Sequence, residues 1–238
     1  MDGVIGISGV LAILLIAGAM VALVQRGGVS MRWLGVAAGL VLLNDVLLTN
    51  VYGLLPNILP GSDFNWQGKL LALGATLAVA SSPAFGWRES GLTFRQAPGS
   101  LPSAALVATA YAAVFLGLAF AFPNDQATGE SIAFQLTMPG FEEEPFYRGV
   151  LLMALGRAFT ARQRLLGVDW SWGAAVSCAL FGLAHAFGFS DGDFEFDPMI
   201  MLLTAGPSFL AVWLALRTHS VLIPILLHNF GNAIMLLA

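Results

Sequence analysis

Read for polarity alone, the chain is a series of long apolar runs separated by short polar breaks. A helix crosses lipid hydrocarbon with about 20 mostly apolar residues. Runs of that kind cover residues 4–24, 33–55, 68–86, 101–122, 132–155, 172–189, 199–216 and 221–237. Transmembrane barrel strands would instead alternate in polarity over ~10 residues. The pattern therefore predicts an all-α fold: a polytopic transmembrane bundle of about eight helices, forming one domain over residues 1–238. Prolines punctuate the runs. Pro56 and Pro60 follow the second, Pro98 and Pro102 bracket the start of the fourth, and Pro123 follows it. Trp33, Trp66, Trp87, Trp170 and Trp172 fall near run ends, as expected of interfacial aromatic belts.

Composition supports the same solvent. Of 238 residues, 58% are hydrophobic and 10% charged, against about 25% charged in soluble domains; mean hydropathy is +0.81. The first run is preceded by Asp2 and followed by Arg26 and Arg32, the reverse of a signal peptide, so it reads as a retained helix. Cys178 stands alone within an apolar run. That excludes an intrachain disulfide or a cysteine-based zinc site, and packing is its expected role.

The charges between the runs are segregated. Arg26, Arg32, Arg88, Arg95, Arg157, Arg162, Arg164 and Arg217 fall in alternate breaks. The opposite breaks hold Lys69 as their one basic residue, with Asp63, Asp125, Glu130, Asp191, Asp193, Glu195 and Asp197. Cytoplasmic loops carry the excess of Lys and Arg. The expected protein is thus a multi-pass plasma-membrane protein with both termini outside, and residues 191–197 read as a solvated acidic loop. No basic stripe suggests nucleic acid. Gly35 and Gly39 form a small-xxx-small pair suited to helix packing.

Some polar residues fall inside the runs. The fifth holds Glu142, Glu143, Glu144 and Arg148, the sixth His185, the eighth His228, Asn229 and Asn232, and the second Asn44 and Asp45. Each charge at the bilayer centre costs about 2.5–3.5 kcal/mol on insertion scales, and intramembrane ionisable residues are functional candidates by default. Glu144 and Arg148 are four apart with the acid first, the favourable order for an ion pair. Glu143 is rotated by about 100° and points elsewhere. His228 and Asn232 share a face. Two histidines, a free carboxylate and an amide can therefore meet between three helices. A carboxylate with an imidazole can deprotonate water, and imidazole and amide donors can stabilise the oxyanion formed when water adds to a carbonyl. Asn44 and Asp45 read as helix-to-helix glue or support, and His219 as an interfacial residue.

At these positions the sequence resembles the CPBP family, the intramembrane endopeptidases that include the CAAX prenyl endopeptidases and bacteriocin-processing or immunity proteins. The EExxxR motif reads Glu143-Glu144-Pro145-Phe146-Tyr147-Arg148, FxxxH reads Phe181 to His185, and HxxxN reads His228 to Asn232. The resemblance covers about residues 130–238. It implies that Glu143 and His185 act on the catalytic water, that His228 and Asn232 form the oxyanion hole, and that Glu144 and Arg148 support them. No cofactor or metal takes part in that scheme. The partners it implies are the bilayer and a peptide or membrane-protein substrate, prenylated in the eukaryotic-type members. Two alternatives stand beside it: a zinc protease built on Glu143 or Glu144 with His185 and His228, and a non-catalytic immunity or scaffold protein. Two departures matter. Glu142 adds a third acid, and Pro145, which cannot donate a backbone hydrogen bond, predicts a break in the fifth span at the glutamates. Counting residues from the run ends puts Glu143 and His185 at one depth. His228 falls nearer the cytoplasmic face unless its helix starts deeper, which suggests a cavity opening to the cytoplasm.

Overall fold

The computed structural model describes residues 2–24, 28–123 and 127–237; Arg26 and Asp125 lie outside them. The expected all-helical membrane bundle is what the chain forms. The first four spans are α1 (Asp2–Val24), α2 (Met31–Thr49), α3 (Trp66–Ser81) and α4 (Leu101–Ala121). The fifth is composite: α5 (Gly129–Gln135), α6 (Met138–Glu144), a π-helical stretch (Pro145–Leu151) and α7 (Leu152–Ala158). After it come α8 (Trp172–Ala186), α9 (Pro198–Thr218) and α10 (Leu222–Leu237). Helices α1, α2, α4 and α9 are long and apolar enough to cross a membrane, and α8 and α10 are shorter apolar helices. Outward faces carry bare apolar side chains such as Leu106, Phe120 and Leu202, as lipid requires.

Several boundaries differ from the hydropathy reading. Span two ends at Thr49, and a 3₁₀ turn covers Val51–Leu54. Span three closes at Ser81 rather than 86, because Ser82 takes an extended cap and tight turns follow. Span six ends at Ala186. The chain then turns into the antiparallel hairpin β3 (Phe187–Ser190) and β4 (Asp193–Phe196), so the acidic segment is an ordered ribbon rather than a loop. Its Phe187 and Phe194 stack at 5.5 Å and pack toward Gly9 of α1. Asp197 ends the segment as the N-cap of α9, accepting from Met199 and Ile200 N–H. A second small hairpin, β1 (Gln163–Leu165) with β2 (Val168–Trp170), links α7 to α8. The sequence reading placed most of β3 inside the run 172–189 and β4 in the acidic loop, so their pairing was not foreseen.

The alternation of loops is visible in direct contacts. Arg157 donates to the Ala84 carbonyl, Ala97 N–H to Thr218, and Val221 N–H to Gly91. Val29 bridges Phe159. The basic connections after α1, α3, α7 and α9 therefore meet at one end. At the other, Glu130 accepts from Trp66 Nε1 at 3.1 Å and from Ser62 Oγ, tying the α2–α3 connection to the start of α5.

The core is a mix of aliphatic and aromatic side chains from α1, α2, α7 and α8, with Leu14, Leu34, Leu151, Leu155 and Phe159 fully enclosed. Cys178 is buried, as expected, in a smaller cluster with Leu152, Ala174 and Val212. Gly35 and Gly39 do not mediate packing: both face open space, because the packed face of α2 is Leu34, Ala37, Leu40, Val41 and Asn44. The close approaches are elsewhere, at Gly173 against the Leu155 carbonyl and Gly140 against α10.

Candidate active site

The fifth span breaks where its proline dictates. Pro145 follows the third glutamate and cannot donate to the carbonyl an ordinary helix would require. The backbone answers with the wider π-helical stretch from Pro145 to Leu151, a form that recurs at functional sites. All seven residues of this stretch are buried. Glu142, Glu143 and Glu144 occupy the last turn of α6 immediately before it.

Three different helix faces carry the three carboxylates. Glu144 Oε2 lies 3.2 Å from Arg148 Nε, in ion-pair range, both side chains 2% exposed. Its other oxygen lies 2.7 Å from His228 Nδ1. Arg148 in turn donates through Nη2 to Ser208 Oγ of α9 at 3.0 Å, and its guanidinium lies 4.1 Å from the centre of the Phe181 ring, in reach of a cation–π contact. Spacing alone put Glu144 with Arg148. The structure adds that Glu144 also holds His228.

Glu143 points into a cavity of about 400 Å³. Its Oε2 is buried without a hydrogen-bond partner among the described residues. Two imidazoles face that oxygen: His185 Nε2 at 4.0 Å and His228 Nε2 at 3.8 Å. The opposite nitrogen of each ring is already engaged. His185 Nδ1 is 2.8 Å from the Phe181 carbonyl, which only accepts, so that nitrogen carries the proton. His228 Nδ1 faces the Glu144 carboxylate at 2.7 Å and carries its proton for the same reason. With Nδ1 of each ring engaged in this way, both Nε2 atoms face the same place. A water there would bridge separations of 3.8–4.0 Å without strain. The phenylalanine of FxxxH thus has a role for its ring, against Arg148, and one for its carbonyl, on His185.

Asn232 lines the same cavity beside Pro224, Leu227 and His228, with Tyr111 and Phe115 of α4 and Leu203, Pro207 and Leu210 of α9 forming apolar walls. Asn229 does not face it. Its Oδ1 accepts the Gly140 N–H at 2.7 Å and clips α10 to α6. His219 is at the αL C-cap of α9 on the basic end.

Sequence reading missed one residue and misplaced another. Lys69 was taken for a loop charge. It stands in the first turn of α3, with Nζ 2.6 Å from Glu143 Oε1 and 2.7 Å from Glu142 Oε2. Glu142, read as a surplus acid, is fully buried, and Asn44 Nδ2 donates to its Oε1 at 2.8 Å. Asn44 is thereby joined to the glutamate cluster, while the Asp45 carbonyl accepts from Thr49 of the same helix. A clue was present in the sequence: Lys69 is the single lysine of the chain, on the side otherwise lacking basic residues. The set brings three carboxylates against the Lys69 ammonium and the Arg148 guanidinium.

The depth of the site also departs from expectation. His185 is the next-to-last residue of α8, and Lys69 the fourth of α3. At 1.5 Å per residue both stand about 18–20 Å from the basic ends of their helices. The site therefore lies in the half of the bundle away from the basic connections. His228 reaches this level because α10 starts deep: Val221 is bonded to Gly91 within a connection that folds inward against Gly149. Among the described residues, no three His, Cys, Asp or Glu side chains stand in a metal-ligand arrangement.

Residues 128–234 match the family model described as Type II CAAX prenyl endopeptidase Rce1-like. This is the family the three motifs resemble, and the matched stretch holds all of them. No curated protein and no solved structure matches the chain.

Proposed function

We propose that this member of the Rce1-like CAAX endopeptidases hydrolyses a peptide bond within the membrane by direct attack of an activated water. The observation that carries the reading is the buried, unpartnered Glu143 Oε2 facing the Nε2 atoms of His185 and His228. A water held there is within reach of a carboxylate base and an imidazole lone pair. Glu143 takes one proton, with His185 orienting the oxygen, and the water oxygen adds to the scissile carbonyl.

The negative charge then develops on the carbonyl oxygen, where preorganised donors have most effect. Asn232 supplies its amide N–H. His228 donates through Nε2 when its ring holds both protons, and the Glu144 carboxylate at Nδ1 is placed to balance that charge. Arg148, fixed by Ser208 and Phe181, keeps Glu144 in place. The proton on Glu143 passes to the leaving amine, the C–N bond breaks, and the carboxylate is restored.

The family description and the cavity support a reading of the substrate class. A peptide segment at the membrane, carrying a prenylated CAAX terminus in the form the family name describes, would lie against the apolar walls of α4 and α9. The basic connections would face the cytoplasm of the cell membrane, with both termini outside.

The test uses the purified protein in lipid and an internally quenched prenylated CAAX peptide. Glu143→Gln and His185→Ala, each still folded and inserted, should lower kcat by about 10²–10⁴, the range for losing a general base. Wild-type rates in either variant would overturn the reading. Activity should also survive exhaustive chelation; loss on chelation, restored by zinc, would instead establish a metalloprotease on the same residues.

A further inference from the structure

The proposed base is not held by its own motif. Glu144 has Arg148 and His228 for partners, but neither bonds Glu143. Its anchored oxygen, Oε1, is held at 2.6 Å by Lys69 of α3, a residue that lies outside the segment matched to the family. Lys69 is itself fixed: Glu142 Oε2 accepts from Nζ at 2.7 Å, and Asn44 Nδ2 of α2 holds Glu142 Oε1 at 2.8 Å. Asn44 is 7% exposed, Glu142 fully buried, and the Lys69 side chain 15% exposed. A chain of three hydrogen bonds thus runs from α2 through α6 and α3 to one oxygen of Glu143.

We propose that Lys69 is a positioning residue for the proteolytic reaction: by binding Glu143 Oε1 it fixes the carboxylate so that Oε2 faces His185 and His228. The inference rests on the proteolytic reading of the site. The geometry supports it in a specific way. A carboxylate with one tethered oxygen has one free oxygen in a defined place, and here that free oxygen is the one facing both imidazoles. Glu142 supplies the second negative charge that leaves Lys69 a donor to Glu143 rather than a neutralising partner for it alone. Asn44 prevents Glu142 from turning away. The N-terminal spans, which carry none of the family motifs, then contribute to the site through Asn44 and Lys69.

Removing Lys69 alone would leave Glu142 buried and unpaired, and such a variant could fail to fold. The informative pair is Glu142→Gln and the double variant Glu142→Gln/Lys69→Met. The first keeps the hold on Glu143; the second loses it without stranding Glu142. Both are compared in lipid with the quenched prenylated peptide, and both are solved structurally. The double variant should lose about a hundredfold in kcat relative to Glu142→Gln, the scale of an ångström-sized misplacement, with KM within about twofold. Its Glu143 carboxylate should be rotated, moving Oε2 away from the two Nε2 atoms. Lys69→Arg, which keeps a cation and forked donors, should recover most of the rate. Equal kcat in the two variants, a change in KM alone, or an unmoved Glu143 would overturn the proposal. Glu143→Gln in the same assay separates the two claims. If it cleaves as fast as wild type, the proteolytic reading fails. If it is inactive while the double variant matches Glu142→Gln, only the role of Lys69 fails.

Discussion

At the scale of single residues, Arg148 and Glu144 are almost wholly enclosed, each 2% exposed at the side chain. Two charges so far from water remain there because each offsets the other, with His228 on Glu144 and Ser208 and Phe181 on Arg148 as further partners. Arg148→Ala strands the Glu144 carboxylate and removes the contact with Phe181, and should destabilise the folded protein by about 3–5 kcal/mol. Unfolding in detergent with a reversible denaturant measures this; a change below about 1 kcal/mol would mean that water already reaches the pair. This partnership was legible in sequence because it is local, four residues along one helix. The hold of Glu144 on His228, and of Lys69 on Glu143, was not, since each joins helices far apart in the chain. Sequence spacing reports neighbours on one helix and is silent about which neighbouring helix turns toward them.

At the scale of elements, the closest approach near the site is between α6 and α10. Gly140 lies where a side chain would meet the Ile225 carbonyl and Asn229 Oδ1, and its own N–H donates to that oxygen. Gly140→Val should force the two helices apart, at a cost of about 1–3 kcal/mol for overpacking. Because α10 carries His228 and Asn232, kcat should fall with it. A lowered melting temperature with unchanged kcat would show that α10 keeps its place by other contacts. The break at Pro145 could be foreseen because a missing N–H is a property of one residue. The π-helical form that repairs it could not, since it depends on burial of the whole stretch by neighbouring helices. The β3–β4 hairpin was missed for another reason: Phe187 and Phe189 continue the apolar run of α8, and only the pairing with Asp193 to Phe196 makes them a strand.

At the scale of the whole molecule, hydropathy and charge alternation gave eight crossings, and the contacts among basic connections at one end agree with that count. The proposed orientation, basic connections toward the cytoplasm, rests on the same arginines. With the buried Cys178 replaced by serine, a single cysteine at Arg164 should react with an impermeant maleimide only from the cytoplasmic side, and one at Asp193 only from outside. The reverse pattern would invert the orientation while leaving the site intact. The site itself sits in the half of the bundle away from the arginines, a placement residue counting could not reach because α10 starts below the surface. The measurement that bears most directly on the central claim remains the single-turnover cleavage rate of Glu143→Gln in lipid, under chelation, with a prenylated CAAX peptide. The account predicts a folded, inserted protein slower than wild type by about 10²–10⁴. A rate equal to wild type would contradict it.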